Sequence, residues 1–198
     1  MKTLIFDFDG VIHDTFEFHR GNINELFGVD VSMQEYKDMH NGNFFSDFPD
    51  MLKDVNWNEY GDYITAKHSL LKIEQGIKDF FIKLYDKHDL HIVSSGSRFR
   101  IEEYLENQKM SHVFKEVLGK EDSLSKVVKF SMIFDKYNLT SDECMFITDT
   151  LGDIIEGNEA NIKTIAVDFG FHDRALLEKG NPYKIISDFN ELFDILAE

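Results

Sequence analysis

The stretch Thr3–Ile12 (TLIFDFDGVI) decides the fold, because a short apolar run leads directly into two carboxylates and a glycine. Leu4–Phe6 is apolar on both faces, which predicts a central parallel strand buried between helices. Ligands of open α/β sheets bind beyond the carboxyl ends of such strands, and side chains two residues apart share one face. Asp7 and Asp9 are therefore predicted to point into one crevice, where their charges repel unless a cation joins them or one carboxyl is protonated. Gly10 is predicted to turn there with a positive φ.

The overall composition indicates an ordinary globular protein. The 198 residues are enough for one domain, or for one domain with a small insert, and for a sizeable core. A hydrophobic content of 42% with 19 phenylalanines excludes a disordered chain. No apolar stretch is long enough for a membrane span, and the short run before Asp7 is unlike a signal peptide. Together with the single cysteine, Cys144, this predicts a cytoplasmic protein without an internal disulfide.

The formal net charge of −16 narrows the range of partners. DNA, RNA and anionic membranes are bound through basic patches, so we expect no nucleic acid and no membrane among the partners. A small phosphate ester is compatible with this charge, because one divalent cation and one lysine invert the local field inside an acidic protein.

Further apolar runs predict strands that alternate with amphipathic helices along the chain. They are Leu90–Val93, Val117–Leu118, Cys144–Ile147, Thr164–Val167 and Tyr183–Ile186. This alternation predicts an α/β fold that is built on a doubly wound parallel sheet.

A helical and aromatic pattern without convincing strands follows the first strand. Asp14 and Glu17 match a capping box, which predicts that a helix begins there. We therefore predict a helical segment over residues 15–76, inserted into a sheet-containing core that is formed by residues 1–14 and 77–198.

Polar residues lie at the ends of the later strands and at the start of one helix. Ser94–Ser97 forms a hydroxyl-rich turn, Lys126 begins an amphipathic helix, and the acids Asp149 and Asp153 follow a buried strand. Each has a purely structural alternative, because serines and Asp153 cap helices and a lysine often lies on the surface. A lysine at a helix N-terminus opposes the helix dipole, however, so Lys126 predicts a nearby anion or carboxylate.

Taken in order, these residues resemble the four motifs of the haloacid dehalogenase superfamily of phosphotransfer enzymes. The first motif is Asp7-Phe8-Asp9-Gly10-Val11, Ser94 matches the second, Lys126 the third, and the pair Asp149 and Asp153 the fourth. In this family a small helical cap lies over the site as a lid. The resemblance therefore implies that residues 15–76 form a cap of the first type.

The resemblance implies a Mg²⁺-dependent phosphatase that acts on a small phosphorylated metabolite, a phosphomonoester, through an aspartyl-phosphate. Asp7 is the implied nucleophile, and Asp9 is the implied general acid and base. Mg²⁺ is expected to bind the carboxylates of Asp7 and Asp149 and the backbone carbonyl of Asp9. Asp153 is expected to position metal-bound water or Lys126.

The resemblance also implies a set of phosphate contacts, in which three positions depart from the usual pattern. The expected contacts are Gly10, Ser94, Ser95 and Lys126. Ser95, Val127 and Thr148 stand where many relatives have Asn, Pro and Gly. Lys120 and Lys129 are the substitutes if Lys126 is not the motif lysine.

Residues of the first helix are candidates for direct substrate contact. The eight histidines form no metal-ligand spacing. His13, His19 and Arg20 lie near the expected entrance, and in related sugar phosphomutases a histidine occupies the position of His19. The aromatic residues Phe44, Phe45 and Trp57 are predicted to pack inside the cap and not to form a recognition surface.

Three alternatives to the phosphatase hypothesis stay open at this point. A sugar phosphomutase of the same superfamily would return the phosphoryl group to a sugar. A receiver-like signalling domain also carries a phospho-aspartate and Mg²⁺, although its length near 120 residues and lack of a helical insert count against it. A catalytically silent binding relative is the third.

Overall fold

A six-stranded parallel sheet forms the centre of the molecule, in the order β3-β2-β1-β4-β5-β6. This computed structural model describes residues 2–45 and 48–197, so residues 46 and 47 of the predicted cap segment lie outside the described residues. The strands are β1 (Thr3–Phe6), β2 (Asp89–Val93), β3 (Glu116–Leu118), β4 (Cys144–Thr148), β5 (Lys163–Val167) and β6 (Lys184–Ile186). Each strand agrees with a predicted apolar run to within one residue, and the predicted α/β fold is confirmed.

Helices cover both faces of this sheet. The described α-helices are α1 (Phe16–Phe27), α2 (Met33–Asp38), α3 (Trp57–His68), α4 (Gln75–Tyr85), α5 (Arg98–Asn107), α6 (Lys126–Tyr137), α7 (Leu151–Glu159), α8 (Arg174–Leu177) and α9 (Asn190–Ala197). Leu4 and Phe6 of β1 belong to the hydrophobic cluster on one face, and Ile5 belongs to the cluster on the other. A strand that is buried on both faces needs apolar residues at every position, which explains the unbroken run in the sequence.

β1 lies where the strand order reverses, because β2 and β3 follow on one side and β4 to β6 on the other. Phe6 pairs with Ile92 of β2 and with Ile147 of β4. The backbone N–H of Asp7 then donates to the carbonyl of Ile147 at 2.9 Å, which carries Asp7 to the edge beside the end of β4. Crevices at such reversals are the usual ligand sites of open parallel sheets.

The described part of residues 15–74 forms helices α1 to α3 and the segments that join them, here called the helical insert. They pack around their own hydrophobic cluster, which includes Phe16, Tyr36 and Ile64 and also receives Phe171 from the loop after β5. Whether residues 15–76 act as a separate cap stays a prediction.

The predicted capping box at the start of α1 is wrong. Thr15 is the N-cap residue, and its side chain donates to Asp9 instead of capping the helix. Asp14 accepts a hydrogen bond from the backbone N–H of Phe16, while the Glu17 carboxylate binds Arg20. Glu17 therefore pairs with Arg20, one turn along the helix, and does not cap the helix N-terminus.

None of the helices in residues 2–45 and 48–197 is both long enough and apolar enough to span a membrane.

A buried histidine in the centre of the sheet makes stability depend on pH. His91 of β2 is 1% exposed, and its Nδ1 has no hydrogen-bond partner within the described residues. Burial lowers the pKa of His91 from 6.5 to about 4. The unfolded chain therefore binds an extra proton between these pH values, so stability is full above pH 6.5 and is lost as pH falls towards 4.

We expect the His91→Leu variant to lose less stability than the wild type as pH falls from 6.5 to 4, by up to about 3 kcal/mol. Urea unfolding at a series of pH values measures this difference. The exposed His112 provides the control, and an equal effect of His112→Leu would contradict the role of His91 burial.

Candidate active site

A buried lysine joins two of the predicted acids at the carboxyl end of the sheet. Lys126 Nζ lies 2.8 Å from Asp7 Oδ2 and 2.6 Å from Asp153 Oδ2, and the lysine side chain is 1% exposed. Burial by itself lowers the pKa of Lys126, but Asp153 and Asp7 hold it above its ordinary value, so the ammonium is charged. The anionic partner that was predicted for Lys126 is confirmed.

The start of helix α6 fixes the position of this lysine. The Glu156 carboxylate of α7 accepts from the backbone N–H of Lys126 at 2.9 Å and from the Ser125 hydroxyl at 3.2 Å. An acid at this place satisfies a free N–H of the helix and stabilises its positive end. The side chain of Lys126 is thereby directed towards Asp7 and Asp153.

Asp153 occupies the third position of α7, while Thr150 is the N-cap whose hydroxyl accepts from the Asp153 backbone N–H. The Thr148 hydroxyl donates to Asp153 Oδ2 at 2.6 Å. Burial alone raises the pKa of Asp153, but Lys126 and the side-chain hydrogen bonds with Asp7 and Thr148 lower it to about 2. Thr148, which departs from the family pattern, thus holds the acid that binds the lysine.

Asp149 is completely buried and only half satisfied. Its Oδ2 accepts from the backbone N–H of Phe171 at 2.7 Å, while Oδ1 has no hydrogen-bond partner among the described residues. Burial raises the pKa of Asp149 to about 8. A buried carboxylate oxygen without a donor is costly, which indicates that a further positive group belongs beside it.

Two glycines bring backbone against this carboxylate. A Cβ on Gly10 would lie 1.9 Å from Asp149 Oδ2, and one on Gly170 would lie 2.3 Å from the Cβ of Asp149. Gly10 also has φ +74°, so its predicted positive φ is confirmed. The first motif therefore lies directly against the fourth, and any larger side chain at Gly10 would displace Asp149.

The charges at this end of the sheet do not balance. Asp7, Asp149 and Asp153 are buried, and Lys126 is the cation that contacts two of them. Burial raises the pKa of Asp7 well above its ordinary value; Lys126 opposes this shift, and Asp153 and Asp149 add to it. Excess carboxylate with an orphaned oxygen suits a hard divalent cation. Within the described residues, no three His, Cys, Asp or Glu side chains form a metal cluster, so a cation here would need backbone, substrate or water oxygens as well.

Asp9 has a different environment from Asp7. Its Oδ1 accepts from the Thr15 hydroxyl at 2.6 Å and lies 3.2 Å from His19 Nε2. His19 Nδ1 lies 2.7 Å from the hydroxyl of Tyr60. Burial alone raises the pKa of Asp9, but the hydrogen bonds from His19 and Thr15 hold it well below its ordinary value. The two acids of the first motif are therefore distinguished by their partners.

The hydroxyl-rich turn after β2 lies beside these acids. Ser94 is buried, and its Oγ accepts from the backbone N–H of Gly96 at 2.8 Å. Lys129 Nζ donates to the Ser94 carbonyl at 2.6 Å from a fully buried position, and burial lowers the pKa of Lys129 to about 8. Lys129 is therefore bound to the backbone of the turn, and Lys126 is the lysine that contacts the acids.

A cavity of about 120 Å³ opens above these groups, between the sheet and the helical insert. Its lining includes Asp7, Asp9, Ser95, Lys126, Asp153 and His19. His13 and Arg20 are not part of this lining. His13 Nδ1 lies 3.0 Å from the Tyr104 hydroxyl, and Arg20 binds Glu17 and the Val31 carbonyl. Of the three candidate substrate contacts, the structure places His19 at the cavity.

Several residues of the site were not predicted from the sequence. Arg100 of α5 and Tyr60 of α3 line the cavity, and Phe171 donates to Asp149. The loop after β5 begins with Asp168, Phe169 and Gly170. Because ligands bind beyond the carboxyl ends of parallel strands, the sequence could have indicated this loop as part of the site. Arg100 and Tyr60 lie within ordinary helical patterns, which carry no such signal.

Known proteins resemble this chain in sequence and in fold. A family model described as haloacid dehalogenase-like hydrolase matches residues 4–167. A phosphoglycolate phosphatase of Synechococcus elongatus is 24% identical over 213 residues, covering 100% of this chain and 98% of that protein. A phosphoglycolate phosphatase of Aliivibrio fischeri is 22% identical over 139 residues, and this match spans 68% of the present chain but 61% of that relative.

A solved structure supports the same architecture. The haloacid dehalogenase-like hydrolase of Streptococcus pneumoniae superposes with a TM-score of 0.83, covering 99% of this chain and 98% of that one. The two sequences are 18% identical, so this likeness shows the shared fold.

Proposed function

Because this chain belongs to the haloacid dehalogenase-like hydrolase family, we propose that it is a Mg²⁺-dependent phosphatase that hydrolyses a small phosphomonoester through an aspartyl-phosphate. The family and the hydrolase class that the motifs predicted are confirmed by the match over residues 4–167. The observation that carries the proposal is the contact of one buried lysine, Lys126, with Asp7 and Asp153 beside the half-satisfied carboxylate of Asp149.

Asp7 is the proposed nucleophile. One of its oxygens, Oδ2, is bound by Lys126, and Oδ1 accepts from the backbone N–H of Phe8 at 2.7 Å. These contacts fix the orientation of the carboxylate. Burial raises the pKa of Asp7, and the Lys126 ammonium opposes that rise and so favours the charged form that attacks phosphorus. Attack forms the bond from the Asp7 oxygen to phosphorus as the bond to the alcohol oxygen breaks.

Asp9 is the proposed acid for the departing alcohol and the base for the hydrolytic water. In the free protein His19 and Thr15 stabilise its anionic form. A phosphate ester brings negative charge into the cavity, and a like charge nearby raises the pKa of a carboxyl. Substrate binding therefore favours the protonated Asp9 that the first step needs.

Lys126 and Ser95 are the proposed contacts for the phosphoryl oxygens, where preorganised donors stabilise developing charge. Gly10, which was also expected to contact the phosphate, has its backbone N–H bound to the carbonyl of His13 at 2.8 Å. Asp7, Asp149 and the backbone carbonyl of Asp9 are the proposed ligands of Mg²⁺. When bound, Mg²⁺ supplies positive charge that offsets the charge of the phosphoryl group and of the acids.

The proposal is tested by measuring phosphate release from a panel of phosphorylated metabolites, with Mg²⁺ and with EDTA. Phosphoglycolate belongs in the panel because two relatives carry its name. We expect release that requires Mg²⁺, and no release from any ester would contradict the proposal. Glucose 1-phosphate tests the mutase alternative, which would be favoured if isomerisation outran phosphate release.

We expect the His19→Asn variant to lose about 10-fold or more in kcat, because the charge-assisted hydrogen bond that orients Asp9 is weakened. The loss of this bond also raises the pKa of Asp9. The pH profile of kcat/KM should shift on its acid side, which a purely structural loss would not produce. His13 is the matched control, since it is a nearby histidine outside the cavity lining. Equal losses in His13→Asn and His19→Asn would contradict this role.

A further inference from the structure

The wall of the cavity that faces the sheet is uncharged. Among the described residues, the helical insert contributes no Asp, Glu, Lys or Arg side chain to the lining. Its apolar and aromatic contributions are Ile23, Tyr36, Phe44, Phe45, Trp57 and Tyr60. Its two histidines are already engaged, since His19 contacts Asp9 and Tyr60, and His40 Nδ1 lies 2.9 Å from the carbonyl of Tyr36.

The positively charged side chains of the lining come from the sheet-containing half of the molecule. Lys126, Arg100 and Lys120 all belong to elements of the sheet-containing half, namely α6, α5 and the loop after β3. Lys126 contacts Asp7, whereas the Arg100 guanidinium reaches the rim of the insert, where Nη1 lies 3.5 Å from the carbonyl of Gly61. The insert itself contributes apolar and aromatic side chains to the rest of that wall. A ligand that matches this polarity has its anionic group at the sheet and an uncharged, apolar group beneath the insert.

Contacts between rings within the insert hold the aromatic wall together. The Trp57 ring contacts Phe44 at 6.0 Å and Tyr60 at 5.8 Å between centroids, both edge to face, and stacks on Phe48 at 4.9 Å. Phe44, Phe45 and Trp57 are half-buried, so part of each ring is left to face the cavity. These rings therefore pack inside the insert, as predicted, and they also line the cavity, which was not predicted.

The cavity has room for an apolar group. A volume of about 120 Å³ corresponds to roughly 8 to 12 waters, since one water needs about 10 to 15 Å³ of such space. A phosphoryl group occupies part of that volume beside Asp7. The remainder is enough for one ring.

We propose that the preferred substrate is a phosphomonoester whose alcohol carries one uncharged apolar ring. This inference rests on the proposed phosphatase function and adds to it the chemical class of the leaving alcohol. The phosphoryl group lies against Asp7 and Lys126, and the ring lies against Trp57 and Phe44.

Three esters test the proposal directly: benzyl phosphate, ethyl phosphate and phosphoglycolate. Benzyl alcohol and ethanol are similar leaving groups, so a difference in kcat/KM between their esters reports binding of the ring. We expect benzyl phosphate to exceed ethyl phosphate by about 10- to 100-fold, the range for burying one aromatic side chain. Phosphoglycolate, which has no apolar ring to pack against the aromatic wall, is expected to be poorer than benzyl phosphate.

A preference for phosphoglycolate, or equal values for benzyl and ethyl phosphate, would overturn this inference and leave the phosphatase function intact. Absence of phosphate release from all three esters and from the metabolite panel would overturn the function itself. The Trp57→Ala and Phe44→Ala variants are each expected to reduce the ratio of benzyl to ethyl kcat/KM to about 3 or less. Two variants are used because loss of Trp57 also removes packing inside the insert.

Phe99 is the matched control for these variants, because it is an exposed aromatic residue of α5 outside the lining. The ratio should be unchanged in the Phe99→Ala variant. If the ratio stayed high in both Trp57→Ala and Phe44→Ala while those proteins stayed folded by circular dichroism, the aromatic wall would not be the ring site.

Discussion

The Asp7→Asn variant is expected to lose at least ~10³-fold in kcat, which is about 4 kcal/mol of activation free energy. An amide oxygen is a far weaker nucleophile than a carboxylate, while its size preserves the fold. Lys126 keeps its ion pair with Asp153 in this variant, so the buried ammonium is not left without a partner. Steady-state phosphate release measures the loss, and circular dichroism checks the fold.

Asp14→Asn is the matched control for this change. Asp14 is an exposed acid close to the first motif, and its side chain accepts from the backbone N–H of Phe16, which an asparagine oxygen also does. Near-normal activity is expected. Retention of activity in Asp7→Asn, or an equal loss in Asp14→Asn, would remove Asp7 as the nucleophile.

The second large effect is expected from Asp149→Asn. This variant should lose at least ~10²-fold in kcat, because it removes a charge that the proposed Mg²⁺ site requires. Without Mg²⁺ it should be more stable than the wild type by about 1 to 3 kcal/mol, since the orphaned buried carboxylate is replaced by a neutral group. Burial raises the pKa of Asp149 from 3.8 to about 8, so above pH 3.8 ionisation of this carboxyl favours the unfolded chain. The stability gain of Asp149→Asn should therefore vanish in strong acid, where the carboxyl is protonated in both states.

Mg²⁺ provides a readout of the same site that does not depend on activity. A cation that binds only the folded wild type stabilises it by about 2.7 kcal/mol at 100 times its dissociation constant. Urea unfolding with and without Mg²⁺ should show this increase in the wild type and not in Asp149→Asn. Asp168 also lies at a strand end but is paired with Arg174, so Asp168→Asn should keep the Mg²⁺ effect. Equal Mg²⁺ stabilisation of wild type and Asp149→Asn would contradict the assignment.

The sequence predicted the positions of the acids because strand ends are local features. A buried parallel strand such as β1 requires an unbroken apolar run. The residue after that run therefore lies at the carboxyl end of the sheet, where ligands bind. Asp7, Ser94 and Asp149 each follow a strand in this way. Lys126 was also predictable, because a lysine at a helix N-terminus needs a compensating acid.

Side-chain contacts that depend on how the helices pack were not predictable by these rules. The capping box of Asp14 and Glu17 fits its local pattern, but Arg20 occupies Glu17 and Asp9 binds Thr15. The choice between His13 and His19 depends on how α1 packs. The resemblance to sugar phosphomutases favoured His19, but residue spacing alone does not separate the two histidines. Their packing does, because His19 lies beside Tyr60 and His13 beside Tyr104.

The aromatic wall illustrates a further limit. Phe44 and Trp57 have the spacing and composition of packing residues, and they do pack against the hydrophobic cluster of the insert. Their second role depends on a cavity that exists because the insert lies over the sheet end, where Gly152 contacts the backbone of Gly42. Specificity is therefore decided by the docking of two segments and not by either segment alone.

The most direct test of the central claim is to trap the covalent intermediate. The Asp9→Asn variant, which lacks the proposed base for hydrolysis, is mixed with p-nitrophenyl phosphate, whose leaving group needs no acid, and is quenched in acid. Mass spectrometry should find one phosphoryl group on the peptide that contains Asp7, and borohydride should convert that residue to homoserine. Turnover without any phosphorylated protein, or a phosphoryl group on a different residue, would contradict the account.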